Sequence, residues 1–120
     1  LYAGIEACKA GKRVSDISKA VFNLASAHNY GVVYDYCGHG VGLGVHEDPS
    51  IPNVPERMRP NPRLRAGMVV AIEPMINMGT ADVEVKNDGW TVVTADRSVS
   101  CHMEHTVAIF EDHTEILSQL

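Results

Sequence analysis

The chain has 120 residues, one domain's worth, and 45% of them are hydrophobic, enough for a core. Ten Lys and Arg against fifteen Asp and Glu leave a net charge of −5, which excludes a generic nucleic-acid binder with its basic stripe. No run reaches the roughly 18 apolar residues of a membrane span, no charged-then-apolar signal segment opens the chain, and three cysteines without a CxxC pair (Cys8, Cys37, Cys101) fit a reducing compartment better than a disulfide framework.

The chain opens Leu1-Tyr2-Ala3-Gly4-Ile5. Leu1, Ile5 and Cys8 already share a helical stripe, so the expectation is that a segment precedes it. Residues 1–10 read as a helix end with Gly11 as its stop. Ser15 is the expected N-cap of a second helix, whose apolar positions Ile17, Ala20, Val21 and Leu24 recur at helical spacing. Gly31 suits a left-handed turn after it, and residues 32–38 read as a strand. Residues 47–62 carry Pro49, Pro52, Pro55, Pro60 and Pro62. Proline cannot donate to a ladder, which predicts a long surface loop. Residues 68–73 form a short apolar strand ended by Pro74. Residues 83–85 and 90–93 flank Asp88-Gly89, a strong hairpin signal. Residues 98–110 predict a further strand and 115–117 one more. There is no internal repeat, low-complexity tract or linker. Helices followed by antiparallel strands make an α+β fold, with residues 1–120 as one unit.

Two carboxylates stand in apolar surroundings. Glu73 lies in Val69-Val70-Ala71-Ile72-Glu73-Pro74-Met75, with no Lys or Arg between Arg65 and Lys86. An ionised carboxylate there is costly unless it is paired, hydrogen-bonded or bound to a metal. Pro74 biases Glu73 toward an extended conformation, so it projects from a strand end at a fixed angle. The alternative is a strand-end Glu that reaches water. Glu104 precedes Thr106-Val107-Ala108-Ile109, and period-2 alternation puts His102, Glu104 and Thr106 on one face. Its alternative is a strand with one solvated face.

The segment Cys37-Gly38-His39-Gly40-Val41-Gly42-Leu43-Gly44-Val45-His46-Glu47 alternates glycine. It is not a dinucleotide fingerprint, because the third glycine of G-x-G-x-x-G is absent and no helix follows. Alternating glycine instead lets something approach the backbone closely. His39 stands uncrowded between two of these glycines. Other metal motifs fail: His46-Glu47 has Ser50 where H-E-x-x-H needs His, and His102-Met103-Glu104 has no P-C-x-x-C after it. His28 and His113 fall in expected turns and read as solvated. One imidazole and two uncompensated carboxylates suit a shared Mn, Fe, Co or Zn ion rather than a structural zinc finger, which prefers thiolate.

The runs at 36–49 (YCGHGVGLGVHEDP), 66–77 (AGMVVAIEPMIN), 88–98 (DGWTVVTADRS) and 103–107 (MEHTV) closely resemble type I methionine aminopeptidases, in order and in spacing. The likeness covers nearly the whole chain. The wider pita-bread group, proline-specific aminopeptidases included, shares the GHG…HE and IEP elements. The resemblance implies the C-terminal half of a pita-bread fold: two helices on a curved antiparallel sheet. It implies hydrolysis of the first peptide bond after an N-terminal methionine, with two divalent ions supplying hydroxide. His39, Glu73 and Glu104 match metal ligands, with Glu104 in the bridging position. Glu73 also matches the general base, and His46 the histidine that contacts the scissile amide or its carbonyl. Trp90, Cys37 and Val45 match the wall of the methionine pocket, Val45 standing where many relatives carry an aromatic residue. Two aspartate ligands and another histidine of the family lie in its N-terminal half and have no counterpart here, which implies a fragment with little activity of its own. Partners implied are the N-termini of nascent polypeptides and the missing half, in the cytoplasm, with neither membrane nor nucleic acid. The alternatives are a non-catalytic pita-bread interaction module and a proline-specific relative.

Overall fold

The computed structural model describes residues 1–55 and 60–119. Among these, α1 (Tyr2–Ala7) and α2 (Val14–Ala27) precede β1 (Gly31–Val32), β2 (Cys37–Gly40), β3 (Glu47–Pro52), β4 (Val69–Ile72), β5 (Met75–Asn77), β6 (Val83–Val85), β7 (Val92–Thr94), β8 (Ser100–His102), β9 (His105–Ile109) and β10 (Thr114–Ile116). All the strand pairings are antiparallel, so the fold is the expected α+β. No helix among the described residues is long and apolar enough to cross a membrane.

Six of the strands form one folded-back ribbon. β4 pairs β9 from Val69↔Ala108 to Ile72↔His105, β5 pairs β8 from Met75↔His102 to Asn77↔Ser100, and β6 pairs β7 from Val83↔Thr94 to Val85↔Val92. The register is identical in all three, because each interruption on one arm is matched by an equal one on the other. The ribbon's tip is the expected turn. Gly89 takes φ +68, a left-handed conformation that glycine adopts without strain, and donates its N–H to Lys86 O at 2.9 Å. Asp88 Oδ1 accepts the N–H groups of Trp90 and Thr91 at 3.0 and 2.9 Å. That cap keeps both residues in the turn, so β7 starts at Val92 rather than at residue 90. The strand expected over 98–110 breaks into β8 and β9 at Met103 and Glu104. Across from that break Pro74, with no N–H to give, separates β4 from β5.

The strand expected over 32–38 is two strands. β1 pairs β5 and β2 pairs β4 in registers that differ by two residues, and residues 34–36 absorb the change. The proline-rich stretch also departs from expectation at its start. Residues 47–52 form β3, paired with β2 at the edge of a sheet ordered β10-β9-β4-β2-β3. An edge strand has one side with no ladder partner, which is where prolines such as Pro49 and Pro52 fit. Residues 56–59 of the expected loop lie outside the described residues. Beyond them the chain docks on the α1–α2 connection: Leu64 N–H donates to Lys12 O at 2.8 Å and Gly11 N–H to Leu64 O at 2.9 Å.

Helix α2 begins one residue before Ser15, with Arg13 as its N-cap. The Asp16 carboxylate accepts the Arg13 N–H at 2.8 Å, and the Asn61 side chain accepts the Ser15 N–H at 3.0 Å. A residue distant in sequence thus does the capping that local reading assigns to Ser15. Both helices cover the back of the sheet. Ile5, Cys8, Val14 and Ile17 pack with Ile51, Leu64, Val70, Ile72, Val107 and Ile109. Buried Ser18 ties α2 to β3, donating from Oγ to Pro52 O at 2.6 Å. Burial pushes the Cys8 thiol up to about 11, which makes it an inert core residue.

The glycine track has a structural explanation at two positions. A Cβ on Gly38 would run into the Ala71 carbonyl, and one on Gly40 into the Asp48 carbonyl. What approaches so closely is the backbone of the neighbouring strands β4 and β3.

Two outcomes follow from this packing. Ile17 is fully buried beneath the helices, so Ile17→Ala should cost about 2–5 kcal/mol in urea unfolding through lost transfer energy and a residual cavity. His113 is exposed but not merely solvated. Its Nδ1 lies 2.6 Å from Asp112 Oδ1, its Nε2 3.2 Å from Glu115 Oε1, and its ring stacks on Phe110. Asp112 first and Glu115 second raise its pKa above the ordinary 6.5. A raised folded-state pKa means that the contribution is full below pH 6.5 and is lost as pH rises through the folded value. The stability difference between wild type and His113→Gln should therefore shrink from pH 6 to pH 9 in thermal melts.

Candidate metal centre

Register alone aligns the two acids. In the ladder His39 faces Ala71 on β4, and Ala71 faces Thr106 on β9. Side chains alternate along a strand. Glu73 is two residues past Ala71, and Glu104 is two residues before Thr106. Carrying the same register two residues further sets Glu73 across from Glu104, on the same face as His39 and opposite the helices. The side chains follow this placement: one ligand atom from each of His39, Glu73 and Glu104 lies within 4.8 Å of the other two.

The electrostatics of this cluster suit a cation, with Glu73 and His39 largely buried and Glu104 exposed. Glu73 has 13% of its side chain exposed and His39 14%, and Glu73 Oε1 stands 3.4 Å from His39 Nε2. His39 Nδ1 lies 2.8 Å from the Gly40 carbonyl. A carbonyl only accepts, so Nδ1 carries the proton and Nε2 turns its lone pair toward the carboxylate. Two electron-rich atoms at that distance need positive charge between them. Protons on His39 and on His102, which lies 3.1 Å from Glu73 Oε2, are one source of that charge, and Glu104 is exposed to water. A divalent ion balances both carboxylates with the imidazole neutral. One nitrogen and two carboxylates suit Mn, Fe, Co or Zn, so the donor set fits a catalytic divalent metal.

A cleft of about 520 Å³ opens beside the cluster, lined by Cys37, His39, His46, Glu73, Trp90 and His102 together with apolar side chains such as Val33 and Met75. His46 reaches it from the loop at 42–46, its ring centroid 4.1 Å from that of His39. Glu47 secures that loop, its Oε1 accepting the Gly44 N–H at 2.6 Å. Trp90 stands at the rim, 87% exposed, at the ribbon's tip. Val45 departs from the expected pocket wall. It is 73% exposed and is not among the lining residues, because the turns of the glycine loop aim it at solvent while His46 faces the cleft.

Two residues that the sequence reading left without a role take part. His102 Nε2 lies 3.1 Å from Glu73 Oε2. The available signal was its place on the period-2 face of Glu104. Asn53, almost fully buried, donates from Nδ2 to the Glu73 carbonyl at 3.2 Å, a long-range contact with no local signal.

Comparisons with known proteins point to a metallopeptidase family and its fold. The model of metallopeptidase family M24 matches residues 1–111. The methionine aminopeptidase of Treponema pallidum is 63% identical over 119 residues, which cover 99% of this chain and 47% of that protein. The methionine aminopeptidase of Borreliella burgdorferi is 46% identical, covering all of this chain and 48% of that one. The chain thus spans about half the length of these relatives. In fold it is similar to the crystal structure of methionine aminopeptidase from Thermotoga maritima, at TM-score 0.93, 43% identity, and coverage of 100% of this chain and 48% of the other. A prolidase from Pyrococcus furiosus is less similar, at TM-score 0.68 and 27% identity, over 99% of this chain and 29% of that one.

His39→Ala removes the nitrogen donor of the cluster. Loss of an outer partner of a ligand already costs metal affinity about tenfold or more, so calorimetry with Mn²⁺ should find at least that loss in the variant. The wild-type chain should show a single weak site, and two tight sites would contradict this geometry.

Proposed function

The chain belongs to metallopeptidase family M24, and from that membership we propose that a protein built on it is a metal-dependent aminopeptidase that removes the N-terminal methionine of nascent polypeptides. The observation that carries this reading is the convergence of His39, Glu73 and Glu104 within 4.8 Å, beside a cleft with apolar walls and a second imidazole. The high identity to proteins named methionine aminopeptidase supports the methionine-specific branch. The lower likeness to a prolidase gives the proline-specific alternative less support. A non-catalytic module would have no need to bring all three of these groups to one point.

His39, Glu73 and Glu104 would hold a divalent ion, and Glu104 would share in holding a second one. Further donors for that second ion would come from outside these three residues. The ions, drawn from Co, Mn, Fe and Zn, would supply Lewis acidity and lower the pKa of water. The other roles fall to the chain's own side chains. The Glu73 carboxylate accepts the proton of the water that attacks the carbonyl carbon and passes it to the amide nitrogen, which leaves as the new N-terminal amine when the C–N bond breaks. His46 hydrogen-bonds the first peptide bond, donating to its carbonyl oxygen, where negative charge develops, or accepting from its amide N–H. Cys37 and Trp90 flank the methionine side chain in the cleft, while Val45 is left outside it. Nascent chains are the substrate, so the place of action would be the cytoplasm.

Glu73→Gln keeps the size of the side chain and removes its basicity. In a protein built on this chain, turnover of a Met-Ala-Ser peptide should fall about 10²–10⁴-fold, measured by release of free methionine. Near-normal turnover would refute the role given to Glu73.

A further inference from the structure

We infer that His102 is the positioning residue of this site. It donates from Nε2 to Glu73 Oε2 and so keeps Glu73 Oε1 turned toward His39 and the meeting point of the three ligand atoms. This rests on reading that point as a metal site.

The two oxygens of Glu73 have different neighbours. Oε1 lies 3.4 Å from His39 Nε2, and Oε2 lies 3.1 Å from His102 Nε2. A carboxylate can only accept, so a hydrogen bond at Oε2 requires the proton on His102 Nε2. The proton of His39 is already committed at Nδ1, to the Gly40 carbonyl. The histidines on either side of Glu73 therefore take opposite tautomers. His39 presents a lone pair and His102 presents an N–H. Only His102 can hold the carboxylate by hydrogen bonding, and only His39 can share a cation with it.

The fold puts His102 there by the same register that pairs the acids. His102 faces Met75 on β5, which places it diagonal to Glu73 on the front face, within reach of a long side chain. Glu73 is then fixed at both ends, its carbonyl by Asn53 and its carboxylate by His102. A glutamate has three side-chain torsions to order, and an outer partner orders them before the ion arrives. His102 itself is half exposed and has no place in the buried cluster of the core, so removing it tests the carboxylate rather than the packing.

The test uses the 120-residue chain, with Mn²⁺ alone as the probe and a metal-free arm. In the metal-free chain, long-range ¹⁵N–¹H spectra of the histidines should give the Nε2–H tautomer for His102 and the Nδ1–H tautomer for His39. An Nδ1–H tautomer at His102 overturns the inference. In calorimetry, His102→Leu should bind Mn²⁺ about 10–100-fold more weakly, the usual cost of losing an outer partner. His102→Gln, whose amide N–H has similar reach, should recover most of that loss. The d–d absorption of the Co²⁺-loaded chain should change in His102→Leu and not in His102→Gln. If His102→Leu binds as tightly as wild type while Glu73→Gln binds more weakly, the inference fails and the metal site stands. If Glu73→Gln binds as tightly as wild type, the metal site itself fails and the inference with it. Circular dichroism and urea midpoints check that the variants fold. Should His102→Leu not fold, His102→Asn, whose amide is too short to reach, takes its place beside the tautomer measurement.

Discussion

The antiparallel register that stays constant across the breaks from Val69↔Ala108 to Val85↔Val92 is the constraint on which the site depends. It sets Glu73 across from Glu104, and like charges directly opposite each other on a sheet destabilise it. A slip of one residue would move every side chain of one arm to the other face and would separate the two acids. The apolar residues of the same arms hold the register in place. Val70, Ile72, Val107 and Ile109 are buried against the helices, and a slip would expose them. The core thus holds the two acids opposite each other on the front face, Glu73 largely buried and Glu104 exposed, where their oxygens and His39 form a donor set that fits a divalent ion.

The break in the ribbon and the placement of the ligands have one origin. Pro74 ends the hydrogen-bond ladder of β4 just after Glu73, and the opposite arm opens at Met103 and Glu104. Both carboxylates therefore project from strand ends, where the ladder no longer confines them and their side chains can turn toward a common point. His39 comes from the middle of β2, at a register irregularity between Gly38 and Gly40. The glycines there have neighbouring carbonyls pressed so close that no Cβ would fit. Close packing of three strands, rather than flexibility, explains that part of the glycine track.

Much of this was legible along the chain. Glu73 and Glu104 are conspicuous because each is an acid in an apolar run without a neighbouring cation. The α+β order, the second helix and the Asp88-Gly89 tip follow from local periodicity and turn chemistry. Other features depended on partners far away in sequence. The N-terminus of α2 is capped at Arg13 rather than Ser15, with the distant Asn61 joining Asp16 in accepting its free N–H groups, and β3 tolerates its prolines because it lies at an edge. Val45 faces away from the cleft through the turns of a loop whose anchor is the Glu47 carboxylate.

By itself the sequence determined which residue types could bind a cation and which faces alternate, since both are properties of side-chain chemistry and of period-2 geometry. It did not determine that Glu73 and Glu104 stand opposite each other, that His102 reaches the second oxygen of Glu73, or that Asn53 holds its carbonyl. Those depend on which strands pair and in what register. That choice is made by burial of the opposite face against α1 and α2, a property of the whole fold that no local stretch of chain contains.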